Sequence, residues 1–134
     1  MTDATRVHFP SHAEDNGVVY VYECGRHVPF SIQRIFTVTA RKGDIRGDHA
    51  HKKCTQLLVC VSGQVRVICD NGLKKAEYEL TNMETGLLIP PGIWAHQEYT
   101  TDDAVLMVLC DRRYETEDYI RDPGEFKKFL ASAK

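Results

Sequence analysis

The stretch Gln56-Leu57-Leu58-Val59-Cys60-Val61-Ser62-Gly63-Gln64-Val65-Arg66-Val67-Ile68-Cys69 holds two β-branched, apolar runs around a Ser-Gly pair. Each run is too short for a buried helix and rich in the residues that suit a pleated surface, so both are expected to be strands. Ser62-Gly63 is a two-residue hairpin signal.

The same grammar continues on either side. Asp70-Asn71-Gly72 is a turn into Lys75–Leu80, where Ala76, Tyr78 and Leu80 alternate with Lys75, Glu77 and Glu79, a strand wet on one face. Gly86–Ile89 runs into the rigid turn Pro90-Pro91-Gly92, and Ala104–Cys110 is apolar throughout. Such a strand needs cover on both faces, expected from a second sheet and another subunit. Upstream, Val18–Glu23 and Ile32–Val38 read as strands separated by Cys24-Gly25-Arg26-His27 and Pro29. Only the end changes period. Asp122 is placed as a helix N-cap, with Pro123 and Glu125 in the first turn and Phe126, Phe129 and Leu130 on one face. Many short strands with frequent turns and a short C-terminal helix predict an all-β sandwich or barrel, one domain over residues 1–134.

Composition narrows the function classes. The 134 residues carry 17 Lys+Arg against 19 Asp+Glu, a net charge of −2, so no bulk basic field exists to hold nucleic acid. The apolar run at Ala104–Cys110 is far too short to span a bilayer, and the polar start carries no hydrophobic export signal. Five cysteines, odd in number and without a CxxC pair, suit reduced, mostly buried thiols. The expectation is a cytoplasmic protein.

Chemistry concentrates in Gly43–Gly63, GDIRGDHAHKKCTQLLVCVSG. His49 and His51, two apart, project from one face of a strand with Cα atoms roughly 6.5 Å apart. That spacing suits joint ligation of one metal or a pair of proton-transfer groups on one substrate. Solvent-facing edge histidines are the plain alternative. The crowding of Arg46, His49, His51 and Lys52 before an apolar strand favours a ligand site at a barrel mouth.

Here the sequence resembles the cupins. Gly43, His49-x-His51, position 56 and Gly63 reproduce the first cupin motif, G-x5-H-x-H-x4-E-x6-G, except that the glutamate is Gln56. In the second motif Pro90-Pro91-Gly92 is present, but His96 comes one residue late and Ala95 stands in the ligand place. One step along a strand sends a side chain to the opposite face unless a bulge restores it. With the carboxylate replaced by a neutral amide and the third imidazole misdirected, two ligands remain, so no metal is expected. Two bare imidazoles are equipment for acid–base work near neutral pH.

A narrower resemblance runs from about Val18 to Leu130. IQRIFTV, RGDHAHKK, QLLVCVSGQVRV, LLIPPGIWA, AVLMVLCDRRYETEDYIRD and EFKKFL are similar to the nucleotide-sugar 3,4-ketoisomerases, the WxcM-like cupins of deoxysugar biosynthesis. The resemblance implies a jelly-roll, cofactor-independent and metal-free homodimer acting on dTDP-4-keto-6-deoxy-D-glucose. It would move the carbonyl from C4 to C3 through an enediol, toward a 3-amino-3,6-dideoxyhexose for O-antigen or another surface polysaccharide, or for a natural product. One departure is Thr37, where the family has a tyrosine.

That reaction assigns roles. His49 is expected to take the C3 proton and His51 to shuttle protons at oxygen or at C4, with the reverse order open. The diphosphate wants cations, which nominates Arg46 from the family motif, and Arg34 and Lys52 beside it. Gln56 would bond a sugar hydroxyl or orient a histidine. Trp94 either packs in the core or stacks on sugar or thymine, and His96 points either into the cavity or outward. Three other classes stay open: a metal-dependent cupin enzyme, a non-catalytic sugar-nucleotide-binding cupin, and a sugar-nucleotide 3,5-epimerase.

Overall fold

A computed structural model describes residues 3–133. Its strands are β1 (Thr5–His8), β2 (Ser11–Glu14), β3 (Gly17–Tyr20), β4 (Arg34–Thr39), β5 (Ile45–His51), β6 (Gln56–Ser62) and β7 (Val65–Asp70). β8 (Lys75–Leu80), β9 (Thr85–Ile89), β10 (Trp94–Tyr99), β11 (Val105–Cys110) and the short β12 (Tyr119–Ile120) complete the set, followed by α1 (Pro123–Ser132). Two five-stranded antiparallel sheets form, ordered β1-β9-β6-β11-β4 and β12-β5-β10-β7-β8, with β2 and β3 as a separate hairpin. The all-β cupin jelly roll with a short C-terminal helix is what the sequence led us to expect.

The Ser62-Gly63 turn joins the sheets rather than forming a hairpin. β6 pairs with β9 and β11, while β7 pairs with β10 and β8, so the two runs never bond each other. The reason lies in the burial of β6. Leu58 and Cys60 face the sandwich interior and Leu57 and Val59 an outer apolar layer, which makes β6 a central strand of its own sheet. Gly63, at φ +68°, turns the chain across to the other sheet, and a Cβ there would lie 2.8 Å from the Ala104 Cα. Across the corner Val65, Val67 and Cys69 meet the inner face of β6.

The expected strand at Val18–Glu23 is shorter than that and serves a different purpose. β3 stops at Tyr20, and the chain after it lies over the outer face of the first sheet. Tyr22, Val28, Phe30 and Ile32 there, together with Phe9 from between β1 and β2, cover Leu57, Val59, Met107 and Leu109. The outer face of the doubly apolar β11 thus receives cover from the chain's own N-terminal segment.

The β7–β8 hairpin through Asp70-Asn71-Gly72 and the wet face of β8 follow the sequence pattern. So does α1: the Asp122 carboxylate accepts from the Glu125 N–H at 3.0 Å. Its face carries Phe126, Phe129 and Leu130 onto Ala50, Trp94 and Ile120, on the outside of the second sheet.

Candidate active site

The site is built where the two sheets diverge. In the first sheet Cys110 of β11 pairs with Arg34 of β4 on one side and Gln56 of β6 on the other, so these three side chains form one row. In the second sheet Tyr119 of β12 pairs with His51 of β5, and Ala95 of β10 pairs with His49. Cross-strand partners point to the same face, and Ala95 and Cys110 belong to the interior cluster. Both rows therefore face each other inside the sandwich, and Arg34 Nη2 closes the gap with a 3.0 Å bond to the Tyr119 hydroxyl.

His49 and His51 lie with ring centroids 5.1 Å apart and planes at 86°, beneath the Tyr119 ring at 5.0 and 4.4 Å. His51 Nδ1 lies 2.9 Å from Asp118 Oδ2, both side chains being buried. Asp118 also accepts from the Lys53 N–H at 2.7 Å and the Cys54 N–H at 3.3 Å. A carboxylate only accepts, so His51 Nδ1 carries a proton and its Nε2 the lone pair. That Nε2 and the Nδ1 of His49 are buried and partnerless, as is Arg34 Nε. Buried nitrogens are ordinarily satisfied, so three orphans in one cluster mark a place where another molecule supplies the partners.

The environment keeps the imidazoles neutral. Burial, reinforced by the charge His51 would carry, lowers His49 to about 4 against the pull of the Gly47 backbone. Burial likewise lowers His51, with Asp118 opposing it. For Asp118 burial would raise the carboxyl, but His51 and the Lys53 and Cys54 N–H groups outweigh it and the net shift is downward.

A bulge in β5 brings a cation to the same face. Ala95 pairs with His49 but His96 pairs with Gly47, so Asp48 is an extra residue with no partner. Arg46 consequently sits opposite the buried Gln97 and shares the inner face with His49, although the two are three residues apart. Gly47 at φ +81° and Asp48 at φ +56° make the kink. A Cβ on Gly47 would lie 3.0 Å from the Ala95 carbonyl oxygen, so position 47 needs glycine for both reasons. Asp48 holds the left-handed conformation at about 1 kcal/mol.

Other expected site residues fall elsewhere. Trp94 and His96 project from the outer face of β10: Trp94 packs on Phe126 with centroids 5.6 Å apart, and His96 contacts Asp48 and Glu98. Both line a groove of about 1350 Å³ against α1, on the opposite side of the sheet from the histidine pair. The β5 bulge does not bring His96 inward, because the extra residue is on β5 and β10 keeps its alternation. Lys52 is exposed; its backbone N–H bonds the Asp118 carbonyl at 2.9 Å. Gln56 is buried in the inner row and donates to Cys110 Sγ at 3.6 Å. Thr37 is exposed and pairs with Met107 of the outer layer, so the departure from tyrosine lies outside the site. Asp118 and Tyr119 had no expected role; their only signal was the Tyr114–Arg121 phrase, which no strand or helix period marks.

These positions do not suit the transition metal many cupins hold. The third imidazole faces the wrong way, and Gln56 turns its amide N–H to a thiol. His51, Cys54 and Asp118 do come together, but the carboxylate is committed to three donors and the Cys54 thiol is pushed up by Cys110 and burial.

A sandwich of this topology with two neutral, inward-facing imidazoles and arginines from opposing sheets is a cupin-fold enzyme with acid–base equipment. The family model "FdtA: WxcM-like, C-terminal" matches residues 2–131, and the chain belongs to that family. It is 37% identical over 126 residues, 93% of this chain and 91% of the other, to the TDP-4-oxo-6-deoxy-alpha-D-glucose-3,4-oxoisomerase of Aneurinibacillus thermoaerophilus. QdtA, a sugar 3,4-ketoisomerase from Thermoanaerobacterium thermosaccharolyticum solved in complex with TDP, superimposes with a TM-score of 0.93 at 29% identity, covering 97% of this chain and 96% of that one. A histidine-to-asparagine variant of QdtA in complex with TDP-4-keto-6-deoxyglucose gives 0.91 at 29% identity, covering 100% and 96%. The family reading made from the sequence phrases is correct, and the chain is an isomerase.

Proposed function

We propose that this chain converts dTDP-4-keto-6-deoxy-D-glucose to the 3-keto isomer, with His49 and His51 moving the protons. The carrying observation is the pair of buried, partnerless nitrogens, His49 Nδ1 and His51 Nε2, on adjacent inward-facing rings. The substrate supports the reading through the curated relative's name and the QdtA complexes.

The reaction must remove the C3 proton, protonate O4 to give an enediol, remove the O3 proton and protonate C4. His49 Nδ1 takes the C3 proton. The imidazolium formed is opposed by burial and by His51, so it surrenders that proton to O4, giving the enediol, rather than resting charged. His51 Nε2, presenting a lone pair and backed by Asp118, accepts at O3 and returns a proton to C4. The diphosphate is held by Arg46 at the mouth, and Arg34 with the Tyr119 hydroxyl meets the sugar oxygens from the other sheet. A homodimer in the cytoplasm, supplying a polysaccharide pathway, completes the reading; the open edge of β4, with Ile35 exposed, is surface available to a second copy.

The test is incubation with dTDP-4-keto-6-deoxyglucose in deuterated water, followed by proton NMR, with and without EDTA. A 3-keto product formed equally in both supports the proposal. Unchanged substrate refutes it, exchange confined to C5 makes the chain an epimerase, and loss of turnover in EDTA makes it metal-dependent.

A further inference from the structure

We infer that His96 is a positioning residue for His49 and Arg46, acting from the outer face of the sheet through the bulge at Asp48. The inference rests on the catalytic reading of His49 given above. His96 Nδ1 meets Asp48 Oδ1 at 2.7 Å and its Nε2 meets Glu98 Oε1 at 3.3 Å, so both ring nitrogens are engaged. Glu98 is tied in turn to Arg66 at 3.4 Å. Asp48 precedes His49 directly and is the one non-glycine residue with positive φ among those described.

The mechanical consequence follows from register. With the bulge, Arg46 and His49 both face inward; without it, residues three apart on a strand face opposite ways. Asp48 must hold an uncommon conformation for the bulge to persist, and outside the sheet the only side chain bonded to it among the described residues is His96. His96, one step late for the inner site, thus serves that site as a strut rather than as a ligand.

The test separates a strut from a bystander. His96→Ala is expected to lower kcat by roughly tenfold while changing KM less than about threefold, as a misplaced base does. Glycine adopts positive φ freely, so adding Asp48→Gly to His96→Ala should restore kcat to within about threefold of wild type. Asp48→Ala should match His96→Ala, whereas Asp48→Asn, which tolerates the conformation and can still bond His96, should be mild. A second arm needs no turnover: in ¹⁵N-histidine spectra of the substrate-free protein, His96→Ala should shift the His49 ring signals and the double variant should return them. A kcat and a His49 spectrum unmoved by His96→Ala overturn the inference, as does a loss that Asp48→Gly fails to rescue. Shifts that behave as expected in a protein without ketoisomerase activity would overturn the catalytic reading and leave the strut standing.

Discussion

Asp118 sets the tautomer of His51. The 2.9 Å contact to Nδ1 obliges that nitrogen to keep its hydrogen, so the lone pair is on Nε2, beside His49. A first prediction follows. In Asp118→Asn the amide can turn its NH₂ to Nδ1, which moves the imidazole hydrogen to Nε2 and removes the acceptor. We expect kcat to fall about 10²–10⁴-fold, with dTDP affinity by calorimetry within about threefold of wild type. A variant with full turnover would mean that His51 does not work as an acceptor. Asp118→Ala should in addition lose about 3–5 kcal/mol of stability in urea, because it strands the Lys53 and Cys54 N–H groups as well as the imidazole.

The histidine pair also predicts how stability depends on pH. A histidine whose folded pKa lies below its ordinary 6.5 is charged sooner in the unfolded chain, so stability is full above about pH 6.5 and declines as pH falls toward the folded value. For His49 that window runs from 6.5 to about 4, and the loss by pH 4.5 is about 2–3 kcal/mol. His51 adds a loss of the same sign. Urea titrations at pH 7.5 and 4.5 should show His49→Asn losing about 2–3 kcal/mol less than wild type over this interval. Equal losses in the two proteins would show that His49 ionises in the folded state as it does in solution.

Much of this site was legible because strand chemistry repeats. His-x-His fixes a shared face whatever the tertiary context, and Pro123 with Asp122 and Glu125 writes a helix start in four residues. What local patterning does not encode is which strand a strand will meet. Ser62-Gly63 has the residues of a hairpin, yet Leu57 and Val59 demanded a second apolar layer and sent β6 to the other sheet. Arg46 is a similar case: two-residue alternation puts it opposite in face to His49, and only the unpaired Asp48 reverses that. Asp118 was hidden for another reason. It lies in the 3₁₀ turn Thr116–Asp118, where no periodicity marks one residue over the next.

Arg46 shares the inner face with His49, so its removal should weaken binding more than chemistry. Charge-assisted bonds to a diphosphate are worth about 1.5–3 kcal/mol, which translates to a KM rise of roughly 10–100-fold for Arg46→Ala, with kcat within about threefold. Arg46→Lys should recover little of this, because a point ammonium cannot bond two phosphate oxygens in the planar fork. Steady-state kinetics on both variants decides it; a kcat effect without a KM effect would place Arg46 at the reacting carbons.

Trp94 gives the opposite expectation. The sequence left open whether this ring stacks on the ligand, and the structure sets it on the outer face of β10 against Phe126 of α1. Replacing a half-buried tryptophan with leucine removes an aromatic contact and part of the apolar area that docks the helix, so Trp94→Leu should lower stability by about 1–3 kcal/mol. The thermal midpoint should fall accordingly, while KM and kcat for the sugar nucleotide stay within about twofold of wild type at a temperature where the variant is folded. A KM increase of tenfold or more in a folded Trp94→Leu protein would put the indole in contact with ligand and make the groove beneath α1, rather than the space between the sheets, the place where the nucleotide lies.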